Sequence, residues 1–194
     1  NIYNMNSSDR DYFNLSKEFN STYLKYDLYV LFIEKGLKIL RPNGKIGYII
    51  PSVILSIPYG KNIREIIIKE NTLNQIIDFT GFKVFADAMV ETCILLIAKE
   101  KNVENLIKVL KPNLTINDFQ NNYIEIKQKK FLETDSFQFR LELNNNSLSI
   151  IDKIKDKSVL LESVYYVSKG IVAFSKIDNR IKNDFLFDSK IDEK

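Results

Sequence analysis

Between residues 127 and 140 the chain gathers four cations, Lys127, Lys129, Lys130 and Arg140, interleaved with Tyr123, Phe131, Phe137 and Phe139. Cations among aromatics suit contact with a phosphate backbone. The outward faces of solvated strands have the same composition, so both readings stand. Lys169 and Lys176, near Gly170, invite the same phosphate reading. Lys83, close to the loop acid Asp87, is either a phosphate contact or a plain surface lysine. Asp27 and Glu34 have the residue types of an acid–base pair, but we read them as lying on different helix faces, with solvated or capping roles. The sequence contains no histidine, which removes the raw material for a zinc site or a His-based triad. Its one cysteine, Cys93, lies in the apolar run Cys93-Ile94-Leu95-Leu96-Ile97, the setting of a buried core thiol.

The elements that must position these residues follow from periodicity. Residues 1–22 are rich in Asn, Ser and Asp and read as a loop, with a helical turn near Lys17. From Tyr23 to Leu40 the apolar positions Tyr29, Phe32, Ile33, Gly36, Leu37 and Leu40 recur at helical spacing, widened by Leu28, Leu31 and Ile39. Pro42-Asn43-Gly44 ends that helix, Asn-Gly being suited to the positive φ of a turn. Ile46 to Pro51 is too short for a helix and fits a central strand buried on both faces. A second helix runs from Gly60 to Glu70, with Ile63, Ile66 and Ile67 inward and Lys61, Arg64, Glu65 and Lys69 outward. Leu73 to Phe79 and Glu91 to Ala98 read as strands joined by a loop containing Gly81 and Phe82 to Ala88. The order is that of an α/β sheet finishing in an antiparallel hairpin. Beyond Lys99 we expect exposed strands at Leu106 to Leu110 and Tyr123 to Phe131, and a short helix over Thr115 to Gln120. A boundary follows at Asn144-Asn145-Asn146, then a short helix through Lys155.

Composition narrows the classes. The 194 residues, 45% hydrophobic and 27% charged, are globular material with enough apolar mass for a core. A net charge of +3 does not by itself announce a nucleic-acid partner. No apolar run approaches the roughly 20 residues of a membrane span, so no membrane association is expected. A lone cysteine admits no disulfide within the chain and agrees with a reducing, cytoplasmic setting.

With those elements in place, the chain resembles the adenine-N6 DNA methyltransferases, in the branch of TaqI-type and Eco57I-like type II restriction-modification enzymes. The resemblance is carried by Tyr26-Asp27-Leu28-Tyr29-x-x-Phe32-Ile33-Glu34, Leu40-x-Pro42-x-Gly44 and Ile49-Ile50-Pro51-Ser52. It continues through Arg64, Val84-Phe85-x-Asp87-Ala88 and the strand Thr92 to Ala98. It covers residues 23–100, with a weaker echo at Leu160 to Val172 that is similar to the entry of the family's target-recognition domain. Each fragment is weak alone; the order and spacing together are specific.

The resemblance implies a fold, the C-terminal half of a Rossmann-like methyltransferase sheet followed by a small mixed α/β extension. It divides the chain into a loop (1–22), a half-domain (23–100), the extension (101–146) and the start of a recognition domain (147–194). It implies S-adenosylmethionine as cofactor and double-stranded DNA as partner. Phe85 takes the position of the aromatic that stacks on the extruded target base, and Phe32 the position that touches the cofactor's adenine. Without the resemblance, Phe85 reads as a plug of the hairpin loop and Phe32 as part of the core stripe. DNA contact falls on Lys83, Lys127, Lys129, Lys130 and Lys169. The family's Gly-rich cofactor loop and Asn-Pro-Pro-Tyr tetrapeptide do not occur in these 194 residues. The chain is therefore expected to be inactive alone, and to need the N-terminal half of the catalytic domain as partner, or a homodimer, to cover an open sheet edge. A second reading is a non-catalytic DNA-binding or assembly module with the same half-fold; a third is a fragment of an RNA or protein methyltransferase.

Overall fold

In the computed structural model, residues 6–85, 90–111 and 123–141 are described, together with 150, 153–154, 156–159 and 161–164. The chain divides into two units, Asn1–Leu148 and Ser149–Lys194. The first carries the sheet. Of the second, the short helix Leu161–Val164 is described. The expected helix over Thr115 to Gln120, the Asn144-Asn145-Asn146 boundary and most of the Leu160 to Val172 echo lie outside the described residues.

Element order in the first unit is α1 (Ser7–Leu15), α2 (Leu28–Ile39), β1 (Lys45–Pro51), 3₁₀ turns at Ser52–Leu55 and Pro58–Gly60, and α3 (Lys61–Glu70). Then come β2 (Thr72–Asp78), β3 (Thr92–Ala98), β4 (Leu106–Leu110), β5 (Tyr123–Lys127) and 3₁₀ turns at Gln128–Glu133 and Asp135–Phe137. Asp27 caps the start of α2 by accepting from the Leu28 N–H, which shortens the helix expected from Tyr23. At its other end Asn43 holds φ at 59°, the left-handed turn that Asn-Gly favours.

The five strands form one open mixed sheet in the order β1-β3-β2-β4-β5. β3 is inserted antiparallel between β1 and β2, with Pro51 opposite Thr92 and Asp78 opposite Cys93. β2 and β4 are parallel, and β5 returns antiparallel to β4. The consecutive antiparallel pair β2–β3 is the expected hairpin.

α2 packs against β1 and α3 against β2, and the two helices touch each other. Val30, Ile33 and Leu37 of α2 and Ile63, Ile67 and Ile68 of α3 are buried with Ile50, Leu73, Ile76, Leu95 and Ile97 of the sheet. Each such side chain contributes about 1.5–3 kcal/mol. Gly36 is where α2 meets β1 most closely: a Cβ there would lie 2.6 Å from both Ile46 Cδ1 and the Tyr48 hydroxyl.

Several expectations are corrected. Residues 1–22, expected as a loop with a helical turn near Lys17, carry the nine-residue helix α1, capped by the Asn6 side chain. The strand expected over Tyr123 to Phe131 stops at Lys127, where a 3₁₀ turn begins. β1 is an edge strand among the described residues, and of its seven residues Ile50 alone is buried. Its other face, with Ile49 and, opposite Gly47, Leu96, is exposed, because the helices cover one side of the sheet. Phe32 and Ile39 leave the helix stripe for solvent, and Val30 takes the inward place, because the face packed on the sheet runs through positions 30, 33, 34 and 37. Arg64, expected outward, is fully buried. It falls on the Gly60, Ile63, Ile67, Ile68 stripe, where helical geometry places it under the 3₁₀ turns.

Candidate functional site

The carboxyl ends of β1 and β2 converge because β3 runs backwards between them. Pro51 and Asp78 end their strands beside the start of β3, and the Ser52 N–H donates to the Glu91 carbonyl at 2.9 Å. Open α/β sheets bind ligands at this end. The 52–60 connection, the loop between β2 and β3, and residues 139–141 assemble there. A cavity of about 320 Å³ lies among them, lined by Ser52, Val53, Ser56, Asp78, Phe139 and Arg140. The start of α2 reaches the same end, for Tyr29 and Tyr59 share a hydroxyl–hydroxyl hydrogen bond of 3.0 Å. Burial, reinforced by that bond, raises the Tyr29 pKa far above the ordinary phenol value, so the pair is neutral.

Phe85 stands on the β2–β3 loop with 47% of its surface exposed, and Lys83 is exposed on the same loop. An exposed ring is not the loop plug that composition alone allows. Asp87 lies outside the described residues. Phe32, 65% exposed on α2, is likewise no core residue; its carbonyl accepts from the Tyr48 hydroxyl at 3.1 Å. Pro51 ends β1 as a stop.

The basic cluster does not join these residues. Lys127 pairs with Leu106, at the amino end of β4, so Lys127, Lys129 and Lys130 sit at the opposite end of the sheet from Phe85. The Lys129 ammonium is engaged by Glu104 at 2.9 Å. Arg140 belongs to the other pole, lining the cavity, with Asp135 at 3.5 Å. Lys169 and Lys176 lie outside the described residues.

Asp27 takes the capping role expected of it, whereas Glu34 needs a different account from the one its spacing suggested. Seven residues make almost two full turns and do not separate helix faces. Asp27 caps α2, whereas Glu34 is 1% exposed. Its carboxylate accepts the backbone N–H groups of Asn20 (2.9 Å) and Ser21 (2.8 Å) and meets Lys38 Nζ at 2.7 Å. Burial pushes the carboxyl up, but the Asn20 N–H and the Lys38 ammonium outweigh it and hold the pKa below the usual range. Glu34 therefore fixes the segment before α2 instead of meeting solvent.

Sequence reasoning also missed the chemistry of Arg64 and Gln128. Arg64 donates to the carbonyls of Ile54, Ile57, Ser136 and Phe137. Burial lowers its pKa to about 10, which leaves it charged at neutral pH. Gln128 accepts from the Leu73 N–H and donates to the carbonyls of Ile68 and Asn71, closing the end of α3. The available signal was positional, since Glu34 and Arg64 both occupy apolar-stripe positions (30, 33, 34, 37 and 60, 63, 64, 67). Cys93 is buried as expected, its thiol pushed up to about 12 by burial and then by Asp78. Among the described residues no acid or cysteine group could hold a metal, and no helix is long and apolar enough to cross a membrane.

Residues 2–85 match the Eco57I restriction-modification methylase family. Over 170 residues the chain is 29% identical to the type II restriction enzyme and methyltransferase RM.Eco57I of Escherichia coli, covering 86% of this chain and 16% of that protein. Over 159 residues it is 35% identical to the type II methyltransferase M.AccI of Acinetobacter calcoaceticus, covering 77% of this chain and 26% of that protein. The chain thus spans about a sixth and a quarter of these relatives. Among solved structures, the type IIG restriction endonuclease BpuSI aligns with a TM-score of 0.51 at 17% identity, over 80% of this chain and 20% of that one. That likeness speaks to the fold alone. The motifs running from Tyr26 to Phe85 lie inside the matched segment, and the chain is an Eco57I-like relative of the type II restriction-modification methyltransferases.

Proposed function

We propose that this chain forms part of a DNA methyltransferase that moves the methyl group of S-adenosylmethionine to the N6 amine of adenine, within a type II restriction-modification protein. The observation that carries the reading is Phe85, an exposed aromatic on the β2–β3 loop at the ligand end of the sheet, inside the family match. An amine inside a duplex is out of reach of a donor, so the base must leave the stack and be held flat. A ring stacked on an extruded base contributes about 1–3 kcal/mol and offsets part of the unstacking cost. Phe85 is that ring. Lys83, two residues earlier, meets a phosphate of the distorted strand.

S-adenosylmethionine would supply the reactive methyl on its sulfonium. The residues present fit one side of it, because exposed Phe32 offers its ring to the adenine moiety. The Gly-rich loop and the Asn-Pro-Pro-Tyr tetrapeptide that complete such a site in the resembled family do not occur in this sequence. In this reading the sheet is the C-terminal part of a Rossmann-like domain. The open edge of β1 is where its further strands add, and the helices that connect them help to cover the exposed face around Ile49 and Leu96.

The experiment is product analysis. The full-length gene product is incubated with labelled S-adenosylmethionine and duplex DNA, and the DNA is digested to nucleosides. The reading expects label in N6-methyladenine. Label in a methylcytosine overturns the adenine assignment, and DNA binding without transfer favours the non-catalytic module.

A further inference from the structure

The buried arginine of α3 joins two segments remote in sequence. Arg64 Nη1 donates to the carbonyls of Ile54 and Ile57, each at 2.8 Å, on the connection leaving β1. Nε and Nη2 donate to Phe137 at 3.1 Å and Ser136 at 2.9 Å. Four of the five guanidinium N–H groups are thus spent on backbone carbonyls, and no carboxylate pairs with it among the described residues. The Phe139 N–H adds a strap to the Leu55 carbonyl at 2.8 Å.

Ser136 and Phe137 hold φ at 53° and 54°, two successive left-handed residues that carry side chains. L residues resist that conformation, and here both carbonyls are aimed at the same cation. Gly60 makes room for it, since a Cβ there would fall 2.5 Å from Arg64 Nη1. The segments so joined are the walls of the cavity at the ligand end: Ser52, Val53 and Ser56 face Phe139 and Arg140 over Asp78. Hydroxyls, a cation at the rim and apolar side chains together fit one nucleotide, with its phosphate on Arg140.

We infer that Arg64 is a positioning residue that sets the width of a cleft holding one nucleotide of the substrate strand, with Arg140 on its phosphate. The inference rests on the DNA-methylation reading above and deepens it.

The test uses the full-length gene product. In Arg64→Lys the charge remains and the fork is lost. KM for duplex DNA should rise roughly tenfold, the equivalent of about one charge-assisted hydrogen bond, with kcat within about twofold. S-adenosylmethionine affinity should not change, and the Phe139 amide should exchange faster. Adding Ser136→Gly, which relieves the left-handed strain, should recover part of the KM. Arg140→Gln, at a half-buried side chain held by Asp135 and Gln138, should raise KM similarly and reduce the salt slope of DNA binding by about one. Faster exchange at Phe139 with KM unmoved overturns the inference, as does a joint loss of kcat, KM and melting temperature without rescue by glycine. If Arg64→Lys does not fold, Arg140→Gln decides alone. If the wild type transfers no methyl group, the functional reading fails first. The cleft is then judged by DNA affinity, where an unchanged Kd in both variants overturns it.

Discussion

Replacing Glu34 by alanine tests how the segment before α2 is held. The wild-type carboxylate satisfies the Asn20 and Ser21 N–H groups at 2.9 and 2.8 Å and is nearly inaccessible to solvent. An unsatisfied buried donor costs about 1–3 kcal/mol. Ser21 is buried but Asn20 is exposed and can turn its N–H to water, which puts Glu34→Ala at about 1–3 kcal/mol, with little added by the exposed end of Lys38. The folded pKa lies below the ordinary 4.5, so the stabilisation is fully present above that pH and fades as pH falls through the folded value. Urea unfolding followed by far-UV circular dichroism at pH 7 and at pH 3 measures both effects. The gap between wild type and variant should be widest at pH 7 and narrow at pH 3. A gap under about 1 kcal/mol at pH 7, or one that does not change with pH, would refute the reasoning.

Gly36→Ala sets a helix-propensity gain of about 0.5–1 kcal/mol against a Cβ at 2.6 Å from the side-chain ends of Ile46 and Tyr48, which must move, so the urea assay should show a net change under about 1 kcal/mol; a loss above about 3 kcal/mol would mean that those two side chains cannot give way. Cys93, buried with its thiol pushed up to about 12, should resist Ellman's reagent at pH 8 until urea unfolds the protein, and rapid labelling of native protein would contradict that burial. Phe85→Ala should leave the urea midpoint unchanged, since the ring is 47% exposed; a clear loss of stability would make it a packing residue after all.

Local signals carried much of this fold. The Pro42-Asn43-Gly44 breaker, the Leu106–Leu110 strand and the α3 span were readable because turn chemistry and periodicity act within a few residues. The place of β1 was not readable. Ile46 to Ile50 is equally apolar whether a strand is central or at an edge, and pairing with β3 depends on residues almost fifty positions away. The polar members of the helix stripes, Glu34 and Arg64, failed for a related reason. Their types point to solvent and their phase points to the core, and only the carbonyls and N–H groups of distant loops decide between the two. Phe85 and Lys83 were placed on the hairpin loop correctly, while the Lys127 to Lys130 cluster went to the far end because β5 returns antiparallel to β4.

The central claim, that Phe85 clamps an extruded adenine, is tested most directly by single-turnover methyl transfer with the full-length gene product and its Phe85→Ala variant. Saturating S-adenosylmethionine and a duplex carrying one target adenine would be used. A lost stacking contact of about 1–3 kcal/mol predicts a drop of about 5- to 150-fold in transfer, with stability and cofactor affinity unchanged. Equal rates for the two proteins would contradict the account.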